Sequence, residues 1–310
     1  MLSREMGFPV GETAAIMTSV MWTMSSIFFA SGGKRIGSIA VNSIRILIAL
    51  PLLWAALYLT AHLTIPVAEG RQWLYMSISG VIGLAIGDFA YFSSLVILGP
   101  RLAVLVMSTA PIFTAISAYL FMNEVLDAVA ILGISLTLFG VYLAILERKG
   151  SSGGQSLSER QKVIGISLGI TGAACQGIGY TISRYGMVLV DPEHPLDPLS
   201  ATFIRVLAGA TSIWIIVTLW GKIPEILRGL KDHRGIQLTA GGAFVGPFCG
   251  VWLSMIAAAN TVAGVAATLM SLMPIMVIPV VWVLYKEKTS WRGILGACIA
   301  VAGVALLFLF

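Results

Sequence analysis

Charge is what this chain has least of. Only 11% of its 310 residues are Asp, Glu, Lys or Arg, against about 25% in ordinary soluble domains. That scarcity excludes a soluble domain, whose wet faces need charge. Cysteine is nearly as rare. Cys175, Cys249 and Cys298 all fall inside apolar runs and share no close spacing, which excludes a disulfide framework and suggests small buried side chains. His62, His194 and His233 lie in polar loops and pair with no Cys or acid at helical spacing, so no metal site is expected. "SGGKR" at 31–35 lacks the first glycine of a phosphate-binding loop, since position 28 is Phe, so no ATP engine is built in. HExxH and paired catalytic carboxylates are also missing, and no nucleophile elbow is expected. No catalytic residue and no cofactor are expected. The net charge of +5 implies no nucleic acid, because the basic residues gather at the ends of apolar runs.

Long apolar runs fill the rest. Hydrophobic residues make up 58% of the chain, and the mean hydropathy is +0.94. Runs of about 20 apolar residues can cross a bilayer as helices. We read ten spans, at 13–31, 36–61, 73–98, 101–122, 127–147, 163–187, 198–220, 235–258, 261–285 and 291–310. The expected fold is an all-α membrane protein. The first run is too long for a cleaved signal peptide and flows into a second. "ERKGSSGGQSLSERQK" between the fifth and sixth spans is a flexible Gly/Ser linker. It divides the chain into two five-helix repeats, 1–147 and 163–310, joined by 148–162.

The halves repeat one another. "MSTAPIFTAISAYLFMNE" starts at Met107 and "MSLMPIMVIPVVWVLYKE" at Met270. Pro111 and Pro274 stand 163 positions apart, as do Glu124 and Glu287, Gly83 and Gly246, and Gly87 and Gly250. Arg45 and Arg205 align at a nearby offset of 160. With five spans each, the second half enters the membrane inverted. Inverted repeats around a central cavity are a transporter architecture. Lys and Arg number 3 on the N-terminal side and 14 on the other. The positive-inside rule then puts the linker in the cytoplasm and both termini outside.

These features resemble the EamA-type branch of the drug/metabolite transporter superfamily. The likeness runs from Trp22 to the C-terminus. It rests on ten spans in two halves, an arginine early in the second and seventh spans, and the "P…E" signatures "APIFTAISAYLFMNE" and "MPIMVIPVVWVLYKE". The resemblance implies a secondary transporter, usually an exporter of amino acids or other small metabolites. It also implies a cavity lined by the first, third, fourth, sixth, eighth and ninth spans. The family expectation is cytoplasmic termini, the reverse of the charge count.

A few residues could carry chemistry. Asp88, in "AIGDFAYFSS", and Arg45 both lie about 13–15 Å deep from the linker side. They are expected to pair. The pair either only locks two spans together, or leaves Asp88 facing the cavity to take a proton or a substrate ammonium. Arg205 has no such acid, because position 251 is Val. It either uses carbonyls and snorkels towards Asp197, or receives a substrate carboxylate. Trp22, Tyr91, Gln176, Tyr180 and Trp252 occupy spans expected to line the cavity, with Trp22 and Gln176 facing one another across it. The tryptophans could equally face lipid. Pro111 and Pro274 each free a carbonyl and are either hinges or shaping kinks. Glu124 and Glu287 are expected to sit on the N-terminal dipole of the next helix. The glycine pairs Gly83/Gly87, Gly246/Gly250, Gly133/Gly140 and Gly296/Gly303 suit close helix packing.

The expected protein is therefore an inner (plasma) membrane secondary transporter. It would export small amphipathic metabolites, amino acids first, with proton coupling or exchange, as a monomer or homodimer in the lipid bilayer. A lipid-linked-sugar or lipid flippase is the alternative. A membrane-embedded enzyme is less favoured, since it would need paired acids or a metal cluster.

Overall fold

The computed structural model describes residues 9–146, 158–273, 275–276 and 291–307. Among these residues every regular element is helical. The first half holds α1 (Val10–Ile36), α2 (Ser38–Ala61), α3 (Gly70–Gly80), α4 (Asp88–Met107), α5 (Ala110–Met122) and α6 (Ala128–Leu146). The second half holds α7 (Glu159–Arg184), α8 (Pro198–Leu219), the short α9 (Ile223–Gly229), α10 (His233–Ala243), α11 (Val251–Asn260), α12 (Ala263–Met270) and α13 (Trp291–Leu307). Among the described residues, six helical stretches are long and apolar enough to cross a membrane: Val10–Ile36, Ser38–Ala61, Gly70–Ser94, Glu159–Leu189, Pro198–Leu219 and His233–Asn260. Ala110–Met122 and Trp291–Leu307 are shorter apolar helices.

Several expected boundaries move. α1 continues through residues 32–35, where a loop was expected. It stops at Gly37, whose φ of 84° only glycine adopts without strain and which turns the chain into α2. The helix of the third span does not end at 98–101. It runs through Pro100 to Met107, since a proline inside a membrane helix is tolerated when neighbours satisfy the backbone. The break falls at Ser108–Thr109, and Pro111 lies in the first turn of α5. A proline there needs no amide hydrogen. The chain breaks completely where a kink was expected. The turn recurs 163 positions on, at Ser271–Leu272. Pro274 and Glu287 lie outside the described residues.

Among the described residues three segments are π-helical: Tyr185–Leu189 continues α7, while Val81–Gly87 and Phe244–Gly250 separate α3 from α4 and α10 from α11. The last two lie in equivalent places of the two halves. They too are 163 positions apart, so the repeat extends to a rare backbone form. Such over-wide turns collect at functional sites.

The halves interlock. α1 packs along α10 and α11, and α7 packs along α3 and α4. Each half thus lends its first helix to the third span of the other. α6 and α13 meet at glycine. A Cβ on Gly140 would stand 2.4 Å from the Ala300 backbone nitrogen and 2.5 Å from the Gly296 carbonyl oxygen. One on Gly303 would stand 2.5 Å from the Thr137 nitrogen. Cys298 points away from that seam and is exposed rather than buried as expected, while Cys175 and Cys249 are half-buried.

Candidate functional site

A cluster of buried polar groups lies at the seam between the halves. Arg45 on α2 donates from Nη2 to Asp88 Oδ2. Its Nε donates to Asn42 Oδ1 at 2.9 Å, one turn earlier. The guanidinium lies between two rings, 5.3 Å from the Phe29 centroid and 5.1 Å from that of Phe92, a cation–π arrangement. Asp88 Oδ1 accepts from Gln176 Nε2 at 2.7 Å, and the same amide donates to the Gly83 carbonyl at 3.1 Å. Arg45 is 9% exposed and Asp88 8%. Both carboxylate oxygens are therefore held, one by a cation and one by an amide from the other half. A buried charge needs that degree of satisfaction.

Arg205 on α8 reaches the same strip from the other side. A Cβ on Gly83 would stand 2.8 Å from Arg205 Nη2 and 3.7 Å from Gln176 Oε1. The missing side chain is what admits the guanidinium. Arg205 is only 3% exposed. Its Nη1 approaches the Met255 sulfur at 3.9 Å, and its Nε has no hydrogen-bond partner among the described residues. It does not snorkel to Asp197. That carboxylate caps its own helix through Ser200 N at 2.9 Å, and α8 carries Arg205 two turns deeper.

The other candidates are distributed around this cluster. Tyr91 follows Asp88 by three residues and is half-buried, its ring 5.8 Å from Phe92. Tyr180 is buried and donates to the Ser254 carbonyl at 3.2 Å, tying α7 to α11. Trp22 packs on the second π segment: a Cβ on Gly250 would lie 2.7 Å from its Cδ1. Gln176 does the equivalent at the first π segment. The two residues occupy matching positions in the repeat, and Gln176 gives its amide hydrogens to Asp88 and Gly83. Trp252 ends an aromatic ladder with Phe248 and Phe244, with centroid steps of 6.0 and 5.4 Å, packed on the apolar cluster of α2 and α8.

Beyond the cluster, Glu124 corrects an expectation. The next helix, α6, is capped by Asp127, which accepts from Ala130 N at 2.7 Å. Glu124 instead accepts from Arg184 Nε at 2.5 Å and from Ala263 N, the first residue of α12, at 3.0 Å. Arg184 Nη1 also donates to the Ala258 carbonyl. This clamp joins α5, α7, α11 and α12 across the halves.

Two hollows lie nearby. One of about 370 Å³ is lined by Ile44, Leu47, Ile48, Pro51, Leu52, Trp214, Ile226 and Leu230. The other, of about 30 Å³, touches Asn42 and is walled by Phe89 and Trp220, whose rings meet edge to face at 4.8 Å. It has room for about one water. Neither is lined by Trp22, Tyr91, Gln176, Tyr180, Arg205 or Trp252.

Asn42, Phe29 and Phe92 were not singled out by sequence, and Gly83 was read only as a repeat and packing glycine. Asn42 had a signal, standing three residues before Arg45 on one helix.

Comparison with known proteins agrees with this arrangement. The family model described as the EamA-like transporter family matches residues 9–146 and again 163–309. A solved structure described only as the crystal structure of a protein is similar over 96% of this chain and 96% of its own, with a TM-score of 0.72 at 17% identity. That likeness concerns the fold alone. No curated protein matches. With its apolar helices and its family match in two repeats spanning nearly the whole length, the chain is a multi-pass membrane protein and belongs to the EamA-like transporter family.

Proposed function

We propose that this transporter moves small amphipathic metabolites, amino acids foremost, by secondary transport, and most naturally outward. Ten spans in two inverted repeats, 1–147 and 163–310, surround a central pathway. The linker 148–162 is cytoplasmic and the termini lie outside. The observation that carries this reading is the Asn42–Arg45–Asp88–Gln176 cluster with Arg205 beside it. Charges deep among apolar helices are costly to keep and mark solute or proton pathways. Asp88, Arg45, Arg205 and Gln176 are the core of the proposed site. Tyr91, Tyr180 and Trp22 stand around it, and Trp252 supports it from the aromatic ladder. The break before Pro111 is the proposed hinge.

The test is transport by purified protein in proteoliposomes, using a radiolabelled amino-acid panel with and without an imposed pH gradient. Gradient-driven uptake lost in Asp88→Asn is the expected result. No transport of any member under either condition refutes the amino-acid reading. One observation favours a flippase as the second reading. The 370 Å³ groove is lined by apolar side chains, Trp214 among them, whose buried Nε1 has no partner among the described residues. Movement of a fluorescent lipid between leaflets of the same vesicles would choose the flippase.

A further inference from the structure

The two halves treat their equivalent arginines differently. Arg45 has an acid, an amide oxygen and two rings. At the offsets that align the repeats, each polar partner is replaced. Asn42 corresponds to Thr202, whose hydroxyl donates to the Pro198 carbonyl at 2.7 Å. Asp88 corresponds to Val251 and Phe92 to Met255. Arg205 is left with one sulfur contact at 3.9 Å and a bare Nε, at 3% exposure. The Gly83–Gln176–Asp88 strip therefore holds two guanidinium cations and one carboxylate. The carboxylate has both oxygens engaged by Arg45 and Gln176.

Arginine does not lose its proton in proteins. A buried cation that only shares the field of a carboxylate already held by Arg45, with no hydrogen-bonded acid of its own, is unfavourable unless something anionic joins it for part of the working cycle. The planar fork suits an oxyanion taken two-pronged. We propose that Arg205 is the docking group for the acidic end of the transported solute, so the solute class is small carboxylates, amino acids included, recognised by the acid rather than by the amine. This rests on the transporter reading, but makes a claim about binding that needs no transport.

The proposal has a consequence without ligand. Arg205→Met removes a buried cation that has no hydrogen-bonded acid of its own. The purified variant in detergent should melt at or above the wild-type temperature, whereas Arg45→Met should melt well below it. The ligand test uses three matched probes at equal concentration: phenylalanine, 3-phenylpropionate and 2-phenylethylamine, with acetate added for a smaller pocket and sodium chloride as the inorganic control. In wild type the carboxylates should raise the melting temperature above chloride, and the amine should not. Arg205→Met should weaken carboxylate binding about tenfold or more, as expected for a charged hydrogen bond. Gly83→Ala keeps the arginine but puts a methyl 2.8 Å from Nη2. It should reduce the same response while staying folded.

Misfolding of Arg205→Met would overturn the proposal, because the side chain would then be structural. So would a carboxylate response that survives in both variants, a response to chloride equal to that of the acids, or no response to any acid. If carboxylates bind through Arg205 but none is moved across vesicles, the transport reading fails and the site stands.

Discussion

Replacing Asp88 by Asn tests what the central ion pair is worth. The amide keeps an oxygen for Gln176, now bonded to Oδ1 at 2.7 Å. Its NH2 faces Arg45, donor against donor. Breaking a buried pair by removing one charge typically costs about 3–5 kcal/mol. Arg45 keeps Asn42 at 2.9 Å and the two rings at 5.3 and 5.1 Å, and each ring contributes about 0.5–2 kcal/mol. That places the loss near the lower end, about 3 kcal/mol. The excess positive charge beside Arg205 works against this relief. Arg45→Met with Asp88→Asn removes both members, and buried pairs replaced by apolar groups are often neutral. The double variant should recover about 2 kcal/mol or more relative to the sum of the singles, within the range measured for coupled neighbours. The assay is reversible unfolding in mixed micelles by denaturant titration, read by tryptophan fluorescence, alongside transport at two pH values. Additive losses, with coupling below about 0.5 kcal/mol, would refute the energetic role of the pair. A double variant that folds and still responds to pH would remove Asp88 from coupling.

Other outcomes follow from the same geometry. Glu124→Gln weakens the hold on Arg184 and on the Ala263 amide, so a cysteine at buried Ser117, with the native cysteines replaced, should react faster with a water-soluble maleimide; an unchanged rate would show that the clamp does not close that end. Gly140→Leu drives a side chain into backbone atoms 2.4 and 2.5 Å from its Cβ; overpacking costs about 1–3 kcal/mol, so the melting temperature should fall while Asp88-dependent chemistry persists in the folded fraction. Asp232 accepts from Gly235 N at 2.8 Å and pairs with Arg35 at 3.0 Å, and these contacts hold its carboxyl below the ordinary value. A depressed carboxylate stabilises above its unfolded pKa and loses that contribution as pH falls through its folded pKa, so Asp232→Asn should be less stable than wild type at neutral pH and approach it only in acid below the depressed folded pKa. A reporter active only in cytoplasm should work when inserted near Gly153 and be silent after Phe310; the opposite pattern would restore the family expectation for the termini.

Much of the frame was legible because composition and repetition are one-dimensional signals. The membrane class followed from missing charge, the two halves from one offset, and the Arg45–Asp88 contact from equal depth on consecutive spans. What escaped depended on contact between halves. Nothing in sequence brings Gln176 to Asp88, since α7 reaches the π segment only through interlocking. Glu124 was read against its nearest helix, but its carboxylate serves α12, more than a hundred residues on. The break between the third and fourth spans was assigned to Pro100, where a proline is tolerated, when the chain breaks near Pro111. The π segments left only their glycines as a trace, and those read equally well as packing.

Those segments bear on how the protein could move. Each π turn stores one residue more than an α turn needs. Passing that surplus along Val81–Gly87 would tighten the turn behind it and twist everything beyond by about 100°, the arc of one residue. Asp88 is the first residue beyond. A screw of this kind would swing the carboxylate from one wall of the pathway to another while the ends of the span stay anchored, with no helix melted and no span tilted. It also makes Val81–Gly87 and Phe244–Gly250 the places where deleting a single residue should leave a span intact. Elsewhere in the same helices such a deletion would turn an apolar face the wrong way.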